Sequence, residues 1–116
     1  MSTGKCNFTI KQGSTFRKPF QWIAGGSPVD MPGWTARMQI RPEVDSEIVI
    51  AELTTENGGI TIDLPEEGKI NLYLSDVETS AFSFEDAVYD IELVDQSGDV
   101  HRDIEGKIKL SPEVTR

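Results

Sequence analysis

A chain of 116 residues, 37% hydrophobic and 27% charged, has the composition of one globular domain and is too apolar for a disordered chain. Twenty acidic residues against eleven basic leave a net charge of −9, which repels a phosphate backbone and removes nucleic acid from the expected partners. Apolar runs stay short, as in Ile48–Ala51, and Lys5, Lys11, Arg17 and Lys18 punctuate the first twenty residues, so neither a membrane-spanning helix nor a cleavable signal peptide is expected.

The acidic residues are dispersed, from Glu43, Asp45 and Glu47 through Glu66 and Glu67 to Glu85, Asp86, Asp90 and Glu92, which predicts a solvated, mutually repelling surface. The single cysteine, Cys6, has no internal partner and fits a reduced compartment.

Along the chain a period of two recurs. Asn7–Lys11 alternates with Phe8 and Ile10 on one side and predicts a first strand, ended by Gln12-Gly13-Ser14. Thr15–Ala24 predicts a second, with Phe16, Phe20 and Trp22 on one face and Pro19 marking an edge or bulge. Gly25-Gly26-Ser27-Pro28 is a turn. Trp34–Arg41 is the clearest half-buried strand, with Trp34, Ala36, Met38 and Ile40 inward and Thr35, Arg37, Gln39 and Arg41 outward. Pro42 ends it, Glu43–Glu47 reads as an acidic loop, Ile48–Thr54 resumes strand character, and Asn57-Gly58-Gly59 turns.

Ile60–Leu64 and Ile70–Leu74 predict an antiparallel hairpin around Pro65-Glu66-Glu67-Gly68. Ser75-Asp76-Val77-Glu78 has the spacing of a capping box with room for one short helix. Val88–Val94 and Val100–Leu110 form a closing hairpin, with Tyr89, Ile91 and Leu93 facing Ile104, Ile108 and Leu110. Seven to eight short strands, spaced about a dozen residues apart with Gly or Pro turns, predict a single all-β domain over residues 1–116. Its expected form is an immunoglobulin-like antiparallel β-sandwich, with a small β-barrel as the alternative.

Little in the chain supports chemistry. His101 and Asp103, two apart on a strand, would share a face, but neither a nucleophile elbow nor a Gly-rich oxyanion loop accompanies them. Cys6 lacks a histidine neighbour or a CxxC partner, and Asp95-Gln96-Ser97-Gly98-Asp99 lacks the ligand spacing of a calcium loop and reads as a hairpin turn. Gly25-Gly26 and Gly58-Gly59 open no helix and are followed by no Lys-Ser/Thr, so they are turns and not phosphate cradles. No enzyme, metal site or cofactor is expected. Trp22 and Trp34 are the large aromatics that could stack on a sugar; core packing is the default for Trp34, leaving Trp22 as the candidate exposed platform.

In order, FTIKQGSTFRKPFQW, GGSPVDMPGWTARMQIR, ENGGITID and VYDIELVDQSGDVHRDIEGKIKLSPEVTR span nearly the whole chain. This succession resembles a family of small tailed-phage and prophage structural proteins, similar to tail-fibre collar or adaptor domains and the N-terminal β-sandwich of upper-baseplate proteins. The matching positions are Gly13, Pro28, Val29, Asp30, Gly33, Trp34, Ala36, Arg37, Tyr89, Asp90, Glu92, Arg102, Glu105 and Gly106, most of them fold markers. Asp30 is expected to cap backbone N–H groups, Gly33 to take a positive φ, and Arg37 to pair across strands with Asp90 or Glu92.

The resemblance implies a non-enzymatic virion component, assembled in the bacterial host cytoplasm, that acts as a homo-oligomer bound to other phage structural proteins. Neither nucleic acid nor membrane is a partner in this reading. The family supplies no binding motif, so partner-binding residues are unknown; Met1–Asn7 and the Pro19 edge are the expected interface, by strand addition. The competing reading is a carbohydrate or host-surface module using Trp22. An acidic decoy of nucleic acid fits less well, because Lys69, Lys107 and Lys109 interrupt the anionic surface.

Overall fold

The computed structural model describes residues 4–115 and shows two sheets packed as a β-sandwich. In chain order the strands are β1 (Gly4–Lys5), β2 (Phe8–Lys11), β3 (Phe16–Gln21), β4 (Ile23–Ala24), β5 (Ser27–Pro28), β6 (Thr35–Arg41), β7 (Ala51–Thr54), β8 (Ile60–Leu64), β9 (Lys69–Leu74), β10 (Asp86–Val94) and β11 (Val100–Ser111). A 3-10 turn covers Pro65–Glu67 and a short helix, α1, covers Asp76–Ser80. Among the described residues eight strands are four residues or longer, in line with the seven to eight expected.

The larger sheet runs β1-β11-β10-β6-β7, with β2 also on β11, and the smaller runs β3-β9-β8. These orders match the GFCC′ and BED sheets of an immunoglobulin variable-type domain. No strand pair joins the two sheets among the described residues, so the barrel alternative is not formed. The pairing is antiparallel except at the N-terminus, where β1 and β2 lie parallel to β11, a departure from the purely antiparallel expectation.

The core follows from alternation. Ala36, Met38 and Ile40 of β6, Ala87, Tyr89, Ile91 and Leu93 of β10, and Ile70, Leu72 and Leu74 of β9 are buried, while their sequence neighbours face out or lie half-buried. β10 is hydrogen-bonded on both sides, so a one-residue slip would turn four apolar side chains to solvent. The closing hairpin forms with Ile91 opposite Ile104, Ala87 opposite Ile108 and Tyr89 opposite Gly106. α1 begins with the expected capping box: Ser75 Oγ accepts from Glu78 N–H at 3.1 Å and Glu78 Oε1 accepts from Ser75 N–H at 3.0 Å.

Several expectations are corrected. The second strand does not run through Thr15–Ala24; it breaks at Trp22, whose N–H donates to Gly68 O and whose carbonyl accepts from Val29 N–H. Gly68, at φ +65°, lets these backbones meet, since a Cβ there would lie 2.6 Å from Trp22 O and 2.8 Å from Val29 O. The turn drives the indole inward, and Trp22, only 2% exposed, is core and not a platform. Trp34 precedes β6, its N–H bonded to Met31 O, and is half-buried, so the two tryptophans exchange their expected places. Strand pairing resumes at Ala51, not Ile48: Ile48 and Val49 stay exposed at the end of the acidic loop. A bulge between Ile62 and Leu64 reverses parity in β8 and turns Leu64 outward. Asp30 makes no side-chain hydrogen bond among the described residues, so its expected capping role is not observed, whereas Gly33 has the expected positive φ of 71°.

Candidate functional site

The outer face of the larger sheet carries a charged ladder. Arg37 stands opposite Glu92 and donates from Nε to Oε1 at 2.6 Å, as the cross-strand expectation required. Gln39 donates to Glu52 at 2.8 Å and accepts from Arg41 Nη2 at 2.6 Å, and Arg102 lies 3.8 Å from Asp90. Asp90 stands opposite Glu105; burial first, then Glu92, raises its carboxyl above the usual range, with Glu105 adding and Arg102 and Arg41 opposing. These side chains line an open concavity of about 770 Å³ with Val44 at its rim. Half-exposed ion pairs of this kind contribute about 0–1 kcal/mol each, so the ladder is a chemical pattern more than a source of stability.

At one end of the sandwich the β10–β11 turn forms a cluster the sequence did not reveal. Asp95 Oδ1 accepts from Ser97 N–H at 2.8 Å and Asp99 N–H at 3.0 Å, while Oδ2 lies 3.0 Å from His101 Nε2. The histidine hydrogen bond, with the two backbone donors, holds the Asp95 carboxyl below the usual range. Trp34 stacks on the imidazole, with ring centroids 5.2 Å apart and planes 8° apart.

His101 therefore does not sit on the polar face with Asp90 and Glu92. The register jumps from Ile91–Ile104 to Glu92–Arg102, leaving Asp103 as an extra residue, and the bulge breaks the two-residue alternation on which the His101–Asp103 pairing relied. The Asp103 side chain lies outside the described residues. The signal in the sequence was the Asp-x-Ser-Gly-Asp turn with a histidine two residues on, which places an Asx-type carboxylate beside the imidazole.

The N-terminal strands are tied to β11 at one spot. Cys6 N–H donates to Glu105 O at 2.9 Å, Lys107 N–H donates to Asn7 Oδ1 at 2.9 Å, and the Tyr89 hydroxyl donates to Cys6 O. Burial, and then Cys6 beside it, pushes the Tyr89 phenol far above its ordinary range. Cys6 is half-buried and carries no disulfide; of the expected interface segment, residues 1–3 lie outside the described residues.

The Pro19 edge is an edge, as expected: among the described residues β3 pairs only with β9. It is built against strand addition, however. Pro19 offers no N–H at the centre of the free edge, and Lys18 points inward there, its Nζ 5.7 Å from the Phe20 ring centroid and 6.0 Å from that of Phe8. Contact on this side has to come from side chains. On the far side, the loop before β7 exposes Val44, Ile48 and Val49 to 86%, 65% and 40%. That loop is held in place by Arg41 Nη1 donating to Ser46 O at 2.6 Å and by Ser46 N–H donating to Glu43 O at 3.1 Å.

The fold and these surfaces define an immunoglobulin-like β-sandwich. No family model and no curated protein matches the sequence. Among solved structures the chain is similar to the crystal structure of CopC from Methylosinus trichosporium OB3b, at 8% identity and a TM-score of 0.42, covering 76% of this chain and 84% of that one. No helix among the described residues is long and apolar enough to cross a membrane.

Proposed function

We propose that this protein is a non-enzymatic structural adaptor of a tailed-phage virion, placed in the tail at a collar, baseplate or fibre attachment and working through protein–protein contact. The supporting observation is the ordered loop that presents Val44, Ile48 and Val49 to solvent from a rigid sandwich. Exposed aliphatic side chains held by backbone hydrogen bonds are what a contact surface needs, and grouped apolar exposure is the usual mark of one. The setting comes from the motif succession, which resembles that of tail structural proteins. Mass spectrometry of purified virions is expected to find the chain at structural copy number; absence from mature particles overturns the proposal.

A carbohydrate-binding role is the second reading, and the half-buried Trp34 takes the part expected of Trp22. A glycan array that binds the wild type and is blank for Trp34→Ala supports it, and an array blank for both removes it.

A further inference from the structure

Charge is uneven along this chain, and the fold turns the imbalance into a spatial polarity. Residues 1–29 hold Lys5, Lys11, Arg17 and Lys18 and no carboxylate, so all 20 acidic residues lie from Asp30 onward. The basic segment supplies β2 and β3, which close one lateral side of the sandwich, where Phe8 stacks on Phe16 at 5.4 Å. There Phe8, Phe16 and Phe20 are half-buried, with Lys18 over two of the rings, while on the opposite face of β3 the Arg17 guanidinium lies 5.1 Å from the Tyr73 ring centroid. None of Lys11, Arg17 and Lys18 has an ion-pair partner among the described residues. Glu113, against Gly13, lies at one end of this side.

The β6–β7 hairpin loop has the opposite character. In the loop before β7, the exposed carboxylates Glu43, Asp45 and Glu47 alternate with the exposed Val44, Ile48 and Val49, and no cation occurs between residues 43 and 50. None of these carboxylates has an ion-pair or side-chain hydrogen-bond partner among the described residues. In the larger sheet β2 and β7 are separated by β11, β10 and β6, so β2 and the strand that follows the acidic loop stand four strand spacings apart, about 19 Å.

We propose that the acidic aliphatic loop of one copy, residues 43–50, seats on the basic aromatic β2–β3 side of the next. The occupant is a second copy of this chain. Apolar side chains meet half-buried aromatic rings, and two sets of charges without ion-pair partners among the described residues of the single chain pair across the contact. Because the two surfaces differ and are carried by separate elements of the fold, the interface is heterologous, and repeated copies close into a ring or extend as a filament. Pro19 and the inward Lys18 keep the contact to side chains, preventing the β3 edge from pairing indiscriminately.

The inference deepens the assembly reading above and rests only on its protein-contact part. The test is sedimentation velocity with light scattering on the full chain, from about 10 µM to about 1 mM. The wild type is expected to self-associate at low salt and to dissociate toward monomer as screening rises to about 0.5 M. Lys11→Glu with Arg17→Glu, or Glu43→Lys with Asp45→Lys and Glu47→Lys, changes only exposed side chains, and circular dichroism verifies that both variants fold. Each variant alone is expected to associate about a hundredfold more weakly, while an equimolar mixture recovers assembly in a 1:1 ratio, because each then meets its complement.

A wild type monomeric at about 1 mM, a variant that assembles alone like wild type, or a mixture that stays monomeric overturns the interface. A chain found in virions yet monomeric in solution overturns this inference and leaves the adaptor reading standing. Head-to-tail assembly of a chain absent from virions does the reverse.

Discussion

Gly106→Ala is the sharpest single test of how the N-terminal strands are fixed. A Cβ at Gly106 would stand 2.2 Å from Cys6 O and 2.8 Å from Cys6 C, against backbone that cannot rotate away, so the Cys6–Asn7 link must lift from β11. Three hydrogen bonds go with it: Cys6 N–H to Glu105 O, Lys107 N–H to Asn7 Oδ1, and the Tyr89 hydroxyl to Cys6 O. At about 0.5–1.5 kcal/mol net for each, the expected loss is about 2–4 kcal/mol in urea unfolding. Tyr89→Phe keeps the ring against Phe8 and removes only the hydroxyl, at an expected cost of about 1–2 kcal/mol. The pair must be non-additive, because Gly106→Ala has already broken the bond that Tyr89→Phe would remove, so the double variant costs little more than Gly106→Ala alone. A Gly106→Ala loss below about 0.5 kcal/mol, or full additivity with Tyr89→Phe, refutes the reasoning.

Other predictions concern the tryptophans, the aspartates and the helix cap. Acrylamide is expected to quench Trp34 and spare Trp22, so Trp34→Phe removes the quenchable fluorescence, and Trp22→Ala costs about 3–5 kcal/mol of stability. Asp95 has a depressed folded pKa, so its contribution is present above the unfolded value near 4 and is lost as pH falls through the lower folded value. Asp95→Asn is therefore less stable than wild type at neutral pH, and the difference closes in acid. Asp90 has a raised folded pKa, so its protonated form is favoured by folding, and that contribution is lost as pH rises through the folded value. Asp90→Asn is accordingly more stable than wild type at neutral pH, with the gap closing below about pH 4, and thermal unfolding across pH reads both signs. Ser75→Ala removes one half of the capping box and is expected to cost about 1 kcal/mol.

How much the sequence discloses depends on the range of the interaction. The strands with unbroken alternation, β6, β9 and β10, were legible because a pleated strand with one face in a core needs an apolar residue at every second place. The capping box was legible for the same local reason: donor and acceptor are three residues apart. The His101 environment was not. One extra residue at Asp103 reverses parity, and only pairing with β10 creates that bulge, so counting residues along β11 alone placed His101 and Asp103 on one face.

The sequence by itself determined that this is an all-β chain, where its principal strands alternate, and that its first 29 residues carry four cations and no carboxylate. Only the tertiary structure decided which tryptophan is buried. Trp22 and Trp34 are equally apolar, and the choice fell to the backbone contact of Trp22 and Val29 with Gly68, residues far apart in the chain. The tertiary structure likewise set the carboxylate-free β2 apart from the acidic loop before β7, because β2 and β7, separated by 39 residues of chain, are carried to opposite edges of one sheet by the order in which strands pair. Composition is a property of the chain, but adjacency is set by non-local pairing, and a contact surface is made of adjacency.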